Sequence, residues 1–231
     1  MLASHSMKVA RFHFSGLSIL KSLPPKEVQW IAKHSKTRKF GAYHELFREG
    51  AYPKHVYILK RGKVKIYQTT AEGNEQIVYI YEPGDMFGYR PLLCNEKHPV
   101  TARTLEESTV VQISRTNFLE LLHQSHVLAK LLLKNLSSEF SVWINYITTF
   151  AQYSVKERLA LSLLILSEKY KSPANKQGTI ILPRKDLASF VGTSIETLAR
   201  LLTQWKNAKY IVVKGRQITI KDHGQLAHWI D

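Results

Sequence analysis

A chain of 231 residues, 44% of them hydrophobic, is long enough for two modest domains and fits a globular class. Its 33 Lys and Arg against 18 Asp and Glu leave a net charge of +15, which points to a polyanionic partner; charge alone does not separate nucleic acid from an anionic membrane. One cysteine, Cys94, excludes internal disulfides and any metal site held by several thiolates. No apolar run reaches the length of a membrane span, and Met1 to Arg11 lacks the apolar core of a signal peptide, so a reducing cytoplasm is expected.

Pro24-Pro25 followed by Lys26 to Ala32 reads as a short helix with proline in its first turn. From about residue 35 the period changes. Alternating runs at 55–59, 64–69, 76–81 and 109–113 are separated by the turn signals Arg61-Gly62, Glu72-Gly73-Asn74 and Pro83-Gly84-Asp85, which predicts an antiparallel barrel or jelly roll. After Arg115 the period turns helical: a short helix over 117–122, a long one over 126–153 and a third over 155–170. Within the long helix Leu132, Leu136, Phe140, Trp143, Ile147 and Phe150 recur at steps averaging 3.6 and form an apolar seam. Such a seam either packs on its own domain or joins two copies; its narrowness and aromatic content favour a dimer.

Residues 182–205 carry two short amphipathic helices joined at Gly192, the layout of a helix-turn-helix. Thr193 followed by Glu196 matches a capping box that opens the second helix. Leu198, Leu201 and Trp205 fall on one side, to pack on Leu187 and Val191, and leave Ile195, Glu196, Ala199 and Arg200 on the other. Arg200 suits a bidentate contact to guanine, Glu196 an acceptor for a cytosine amine, and Ile195 a thymine methyl. Glu196 has plainer uses too, capping its helix or pairing with Arg200 at i,i+4. Ser194 and Thr197 in the first turn are expected phosphate contacts, because free amides and the helix dipole favour an anion there. Arg184, Lys185, Lys214 and Arg216 are expected to touch phosphate, against simple surface exposure. The last two flank Gly215 in a predicted hairpin (210–213 with 217–220), which would make the module a winged helix.

Three segments in succession resemble the Crp/Fnr family of bacterial transcription factors, named for the cyclic-AMP receptor protein and the fumarate-nitrate regulator. They are Val191-Gly192-Thr193-Ser194-Ile195-Glu196-Thr197-Leu198-Ala199-Arg200, the strand-Gly-strand from Tyr57 to Ile66, and Pro83-Gly84-Asp85-Met86-Phe87-Gly88. The resemblance implies an α+β architecture: a cyclic-nucleotide-binding-like jelly roll over 1–125, a dimerisation helix over 126–153 and a winged helix-turn-helix over 154–231. It also implies a homodimer on double-stranded DNA, with RNA polymerase as a further candidate partner, no membrane and no enzyme activity. Glu196 and Arg200 fall on the family's base-reading positions, Arg184 and Ser194 on phosphate-contacting ones. Ile195 departs, since cyclic-AMP-responsive members carry arginine there.

The ligand cassette departs further. Cyclic-nucleotide members place glutamate after the glycine and an Arg-Ser pair later; here Gly88 is followed by Tyr89, and the later segment reads His98-Pro99-Val100-Thr101-Ala102. Losing charge-assisted contacts of this kind removes roughly 1.5–3 kcal/mol each, which argues against cyclic AMP. The sensor domain either takes no ligand or takes a different effector at Gly88, Tyr89, Arg90, Thr101, Ala102 and Arg103, with plain surface charge an equal reading of Arg90 and Arg103. No cofactor or metal is expected: iron–sulfur members need four cysteines, and His123 and His126 lack a third ligand. Two other readings compete. A cupin-type enzyme would need a His-x-His pair, which the chain lacks, and a module acting on a protein partner would leave the helix-turn-helix without a use.

Overall fold

The computed structural model describes residues 10–12 and 19–230. The chain divides into two compact units, Ser15–Ser138 and Glu139–Asp231 with Met1–Phe14. The first opens with α1 (Ile19–Ser22) and α2 (Pro25–His34), where Pro25 sits in the first turn and withholds no needed N–H. Eight strands follow: β1 (Ser35–Phe40), β2 (Glu45–Phe47), β3 (His55–Arg61), β4 (Val64–Thr69), β5 (Glu75–Tyr81), β6 (Met86–Phe87), β7 (Thr101–Thr104) and β8 (Ser108–Ser114). A one-turn helix α3 (Arg90–Leu93) stands between β6 and β7.

The strands form two antiparallel four-stranded sheets, ordered β1-β8-β3-β6 and β2-β7-β4-β5. Strand alternation gives each sheet two faces. On one face of the first sheet Tyr57 and Phe87 stack on each other at 5.4 Å, and Phe87 stacks at 4.7 Å on Tyr81 of the second. Phe47 lies 5.5 Å from Tyr57 and adds a second bridge between the sheets. This is the predicted jelly roll, with an interior filled by aromatic rings. The other face of the first sheet, carrying Val56, Ile58, Val111 and Ile113, packs on Ile31 of α2, Phe118 and Leu121 of α4 (Arg115–Gln124), and Leu128 and Leu132 of α5 (His126–Gln152). Between β3 and β4 the chain reverses at Gly62, whose φ is +92°; a Cβ there would stand 2.2 Å from Ser108 Oγ and 2.7 Å from the Glu107 carbonyl oxygen. Only glycine fits both the turn and that approach.

The second unit is built around α6 (Val155–Tyr170), which starts with a capping box between Ser154 and Glu157 and is buried along Leu159 to Ser167. Around it lie β9 (Ile180–Ile181), α7 (Arg184–Val191), α8 (Ile195–Asn207), the hairpin β10 (Ile211–Lys214) and β11 (Gln217–Ile220), and α9 (His223–His228). The small sheet runs β10-β11-β9. Among the described residues no helix is long and apolar enough to cross a membrane.

Candidate nucleic-acid interface

α7 and α8 meet at Gly192, which takes the left-handed conformation (φ 70°, ψ 53°) and ends α7 with its N–H on the Ala188 carbonyl. The turn is gripped from α6. Arg158 donates through Nε to the Val191 carbonyl at 3.1 Å and through Nη2 to the Gly192 carbonyl at 3.0 Å, while Nη1 reaches the Tyr153 carbonyl at 2.9 Å. One guanidinium thus serves carbonyls at the end of α7 that have no helical partner. Leu198, Leu201, Leu202 and Trp205 of α8 are buried together with Leu187, Phe190 and Val191 of α7, and the packing leaves Ile195, Glu196, Ala199 and Arg200 exposed.

The cap of α8 lies one residue later than the Thr193–Glu196 box predicts. Ser194 is the N-cap, its Oγ accepting from the Thr197 N–H at 3.1 Å. Thr193 instead belongs to the turn, donating its N–H to the Ala188 carbonyl at 3.1 Å, which takes it out of capping geometry. The Glu196 backbone N–H, then the Ser194 hydroxyl, hold the Glu196 carboxyl below the usual carboxylate range. So Glu196 does serve its own helix start, and no ion pair joins it to Arg200 among the described residues. Thr197 is half-buried, its Oγ1 3.2 Å from Ser194 Oγ.

Lys185 is exposed in the first turn of α7, and Lys214 and Arg216 are exposed on the wing. Arg184 is more committed: Nη2 donates to the Gly215 carbonyl at 2.7 Å, tying α7 to the wing tip, while Nη1 is buried with no partner. Its own burial lowers the guanidinium pKa.

The residues expected to form one seam on α5 differ in burial. Leu132 lies in the core of the first unit. Leu136, Trp143 and Phe150 are half-buried, with Trp143 and Phe150 at 6.0 and 6.2 Å from the ring of Tyr146. Two stripes of heptad spacing run along the helix instead. The inward one is Leu128, Leu132, Asn135, Glu139, Val142, Tyr146 and Thr149, all buried. The outward one, offset by one or two residues and so about 150° around the helix, is Leu133, Ser137, Phe140, Ile144, Ile147 and Ala151. Its large members are 66% (Leu133), 67% (Phe140), 47% (Ile144) and 66% (Ile147) exposed. The expected seam starts in the inward stripe at Leu132 and from Leu136 on runs along the half-buried flank, sharing only Phe140 and Ile147 with the outward stripe.

The six residues expected to share one effector pocket point in different directions. Tyr89 is 1% exposed within the helical core, and its hydroxyl accepts from Asn135 Nδ2 of α5 at 2.7 Å. Arg90 is exposed on α3. On β7, alternation puts Ala102 on the face opposite Thr101 and Arg103. Arg103 is spent on Glu45 at 2.6 Å and Glu75 at 3.0 Å, and Thr101 Oγ1 accepts from the Glu49 N–H at 3.0 Å. Gly88, with φ +80°, lies against the ring of Tyr57. Cys94, His123 and His126 are exposed, and among the described residues no three His, Cys, Asp or Glu are grouped to hold a metal.

Comparison with known proteins follows the same two units. A family model for the cyclic nucleotide-binding domain matches residues 37–125, and one for the Crp-like helix-turn-helix domain matches residues 157–229. The fumarate and nitrate reduction regulatory protein of Vibrio cholerae is 28% identical over 184 residues, covering 79% of this chain and 73% of its own. The regulatory protein HlyX of Actinobacillus pleuropneumoniae is 28% identical over 183 residues, 78% and 76% of the two chains.

The chain belongs to the Crp/Fnr family of transcription regulators.

Solved structures with the same fold include FixK2 of Bradyrhizobium japonicum (TM-score 0.75, 20% identity, 85% of this chain and 98% of that one). The c-di-GMP responsive global regulator CLP of Xanthomonas campestris superposes with a TM-score of 0.72 at 20% identity, over 86% and 100%. Within this Crp/Fnr frame four residues escaped the sequence reading. Leu133 and Ile144 were missed because the seam was phased on Leu136, Trp143 and Phe150, which are half-buried. Asn135 did not stand out among the other polar residues of α5, and its partner Tyr89 is 46 residues away. Arg158 carried no signal at all, because its partners are backbone carbonyls 33 and 34 residues away.

Proposed function

We propose that this Crp/Fnr regulator works as a homodimer, placing one α8 in each of two successive major grooves of double-stranded DNA. The observation that carries the reading is the outward face of α8: Arg200 and Ile195 stand exposed beside Glu196, opposite the buried Leu198, Leu201 and Trp205. Arg200 spans O6 and N7 of a guanine, Ile195 meets a thymine methyl, and Glu196 accepts from a cytosine amine. Ser194 and Thr197 receive a phosphate at the helix start, with Lys185, Lys214 and Arg216 on either side. Arg184 offers phosphate the N–H that its wing contact leaves over. The outward stripe of α5 supplies the seam between copies. Such a dimer works in the cytoplasm and acts by recruiting or obstructing RNA polymerase.

The first unit does not hold cyclic AMP in this reading. Tyr89 occupies the position after the cassette glycine and is bonded to Asn135. Tyr57, Tyr79, Tyr81 and Phe87 are buried and fill the jelly roll.

Binding to an operator selected from random duplexes tests the reading. Arg200→Ala should weaken operator binding by about 1–3 kcal/mol in each half-site, roughly fivefold to over a hundredfold apiece, and relax the preference at one base pair in each half-site. An unchanged affinity and an unchanged base preference would remove Arg200, and with it this face of α8, from sequence reading.

A further inference from the structure

A cleft of about 690 Å³ opens in the first unit between β1 and the β2 arm, and none of the residues expected to bind an effector lines it. Its floor is the inner face of the first sheet. Lys36 of β1, Gln112 of β8 and Tyr57 of β3 stand in one register row, so their side chains share that face. Arg38, two residues along β1, continues it, and Lys54 and His55 enter from the start of β3. The far wall is aromatic, with Phe47 stacked on His98 at 3.8 Å and Phe40 on His44 at 4.7 Å.

The charge in this cleft is unbalanced. Glu45 is the one carboxylate among its lining residues, and that carboxylate is already shared by Arg103 and Arg48. Lys36, Arg38 and Lys54 are exposed and have no ion pair among the described residues. Several unpaired cations around a concavity focus positive potential. They converge on His55: burial first, then Arg38, Lys54 and Lys36, lower its imidazole pKa. A duplex backbone is convex and would touch only the lip, whereas the volume lies in the range of small-molecule sites, about 300–1,000 Å³.

We infer that this cleft binds a small organic phosphate carrying two or more negative charges, with the phosphates on Lys36, Arg38 and Lys54 and the organic part against the Phe47–His98 wall. It is a site separate from the cassette, and it gives the jelly roll a ligand although its interior is closed. The inference rests on the cleft alone, and its readout is His55 rather than operator DNA, so it stands or falls apart from the reading of α8.

The test uses the full chain and inorganic tripolyphosphate at physiological salt, followed by the imidazole resonances of His55. Saturable binding should raise the His55 pKa, because the anion offsets the repulsion from the three cations, and binding should tighten as pH falls. Lys36→Gln with Arg38→Gln should weaken it tenfold or more. Lys60→Gln with Arg61→Gln, the same charge change on exposed positions outside the cleft, should leave it unaltered. Should the first pair disturb folding, Lys54→Gln from an exposed position should weaken binding by a smaller factor. Absence of saturation, an equal loss in the control pair, or displacement of tripolyphosphate from His55 by duplex DNA lacking an operator would each overturn the assignment, the last by making this face a DNA track.

Discussion

His98 shows how one side chain can close an expected use. It opens the segment, His98 to Ala102, that lacks the Arg-Ser pair of cyclic-nucleotide members, and it is 3% exposed and stacked on Phe47. Burial pushes its imidazole down to about 4, so at neutral pH it carries no charge to offer a phosphate. The same depression has a stability signature. Between pH 6.5 and 4 the unfolded imidazole takes up a proton that the folded one refuses, so stability falls as pH falls across that window. At about 1.4 kcal/mol per unit the loss approaches roughly 3 kcal/mol at the lower end, and none of it is felt above pH 6.5. His98→Phe keeps a flat ring on Phe47 and removes the titration. Urea unfolding should therefore show the wild-type midpoint dropping between pH 6.5 and 4 by more than that of the variant. Parallel pH profiles would mean that His98 takes its proton while folded.

At the scale of elements, legibility followed periodicity. β3, β4, β5 and β8 were readable because β-branched and aromatic residues alternate along them. β1 was not: Ser35-Lys36-Thr37-Arg38-Lys39-Phe40 has polar residues on both faces, since its inner face looks into a cationic cleft rather than a core. The effector residues misled for a related reason. Nearness in sequence across Thr101-Ala102-Arg103 hid the fact that neighbours on a strand point to opposite faces. The stripe expected on α5 was half legible: Phe140 and Ile147 are exposed, whereas Leu132 is buried and Leu136, Trp143 and Phe150 are half-buried. That distinction is testable. Phe140→Glu or Ile147→Glu places a carboxylate in the outward stripe, where burial against a second copy would leave it unpaired, a penalty of about 3 kcal/mol or more and at least a hundredfold in dimer dissociation. Because both side chains are mostly exposed in one chain, the monomer should stay folded, with unchanged circular dichroism and a halved mass by light scattering. A dimer that survives both substitutions would place the interface elsewhere.

For the molecule as a whole, the order of jelly roll, long helix and winged helix was legible because each part announces itself by a different period, and the charge of +15 named a polyanion without locating it. The grip of Arg158 on the turn was not, because backbone carbonyls leave no mark in a sequence. Charge and base reading separate by their response to salt. Phosphate contacts release counterions and steepen the fall of affinity with salt by about 0.9 per contact in a log–log plot, whereas a base contact hardly changes that slope. In a homodimer every substitution acts twice. Lys185→Ala should therefore make the slope shallower by about 2 and weaken operator and random duplex alike. Arg200→Ala should leave the slope nearly intact and narrow the difference between the two duplexes. A slope change near 1 for Lys185→Ala would mean that one copy engages DNA at a time, and no change would take Lys185 off the phosphate backbone. The two substitutions thus separate how tightly the regulator holds DNA from where it stops, and the first of them counts the copies that do the holding.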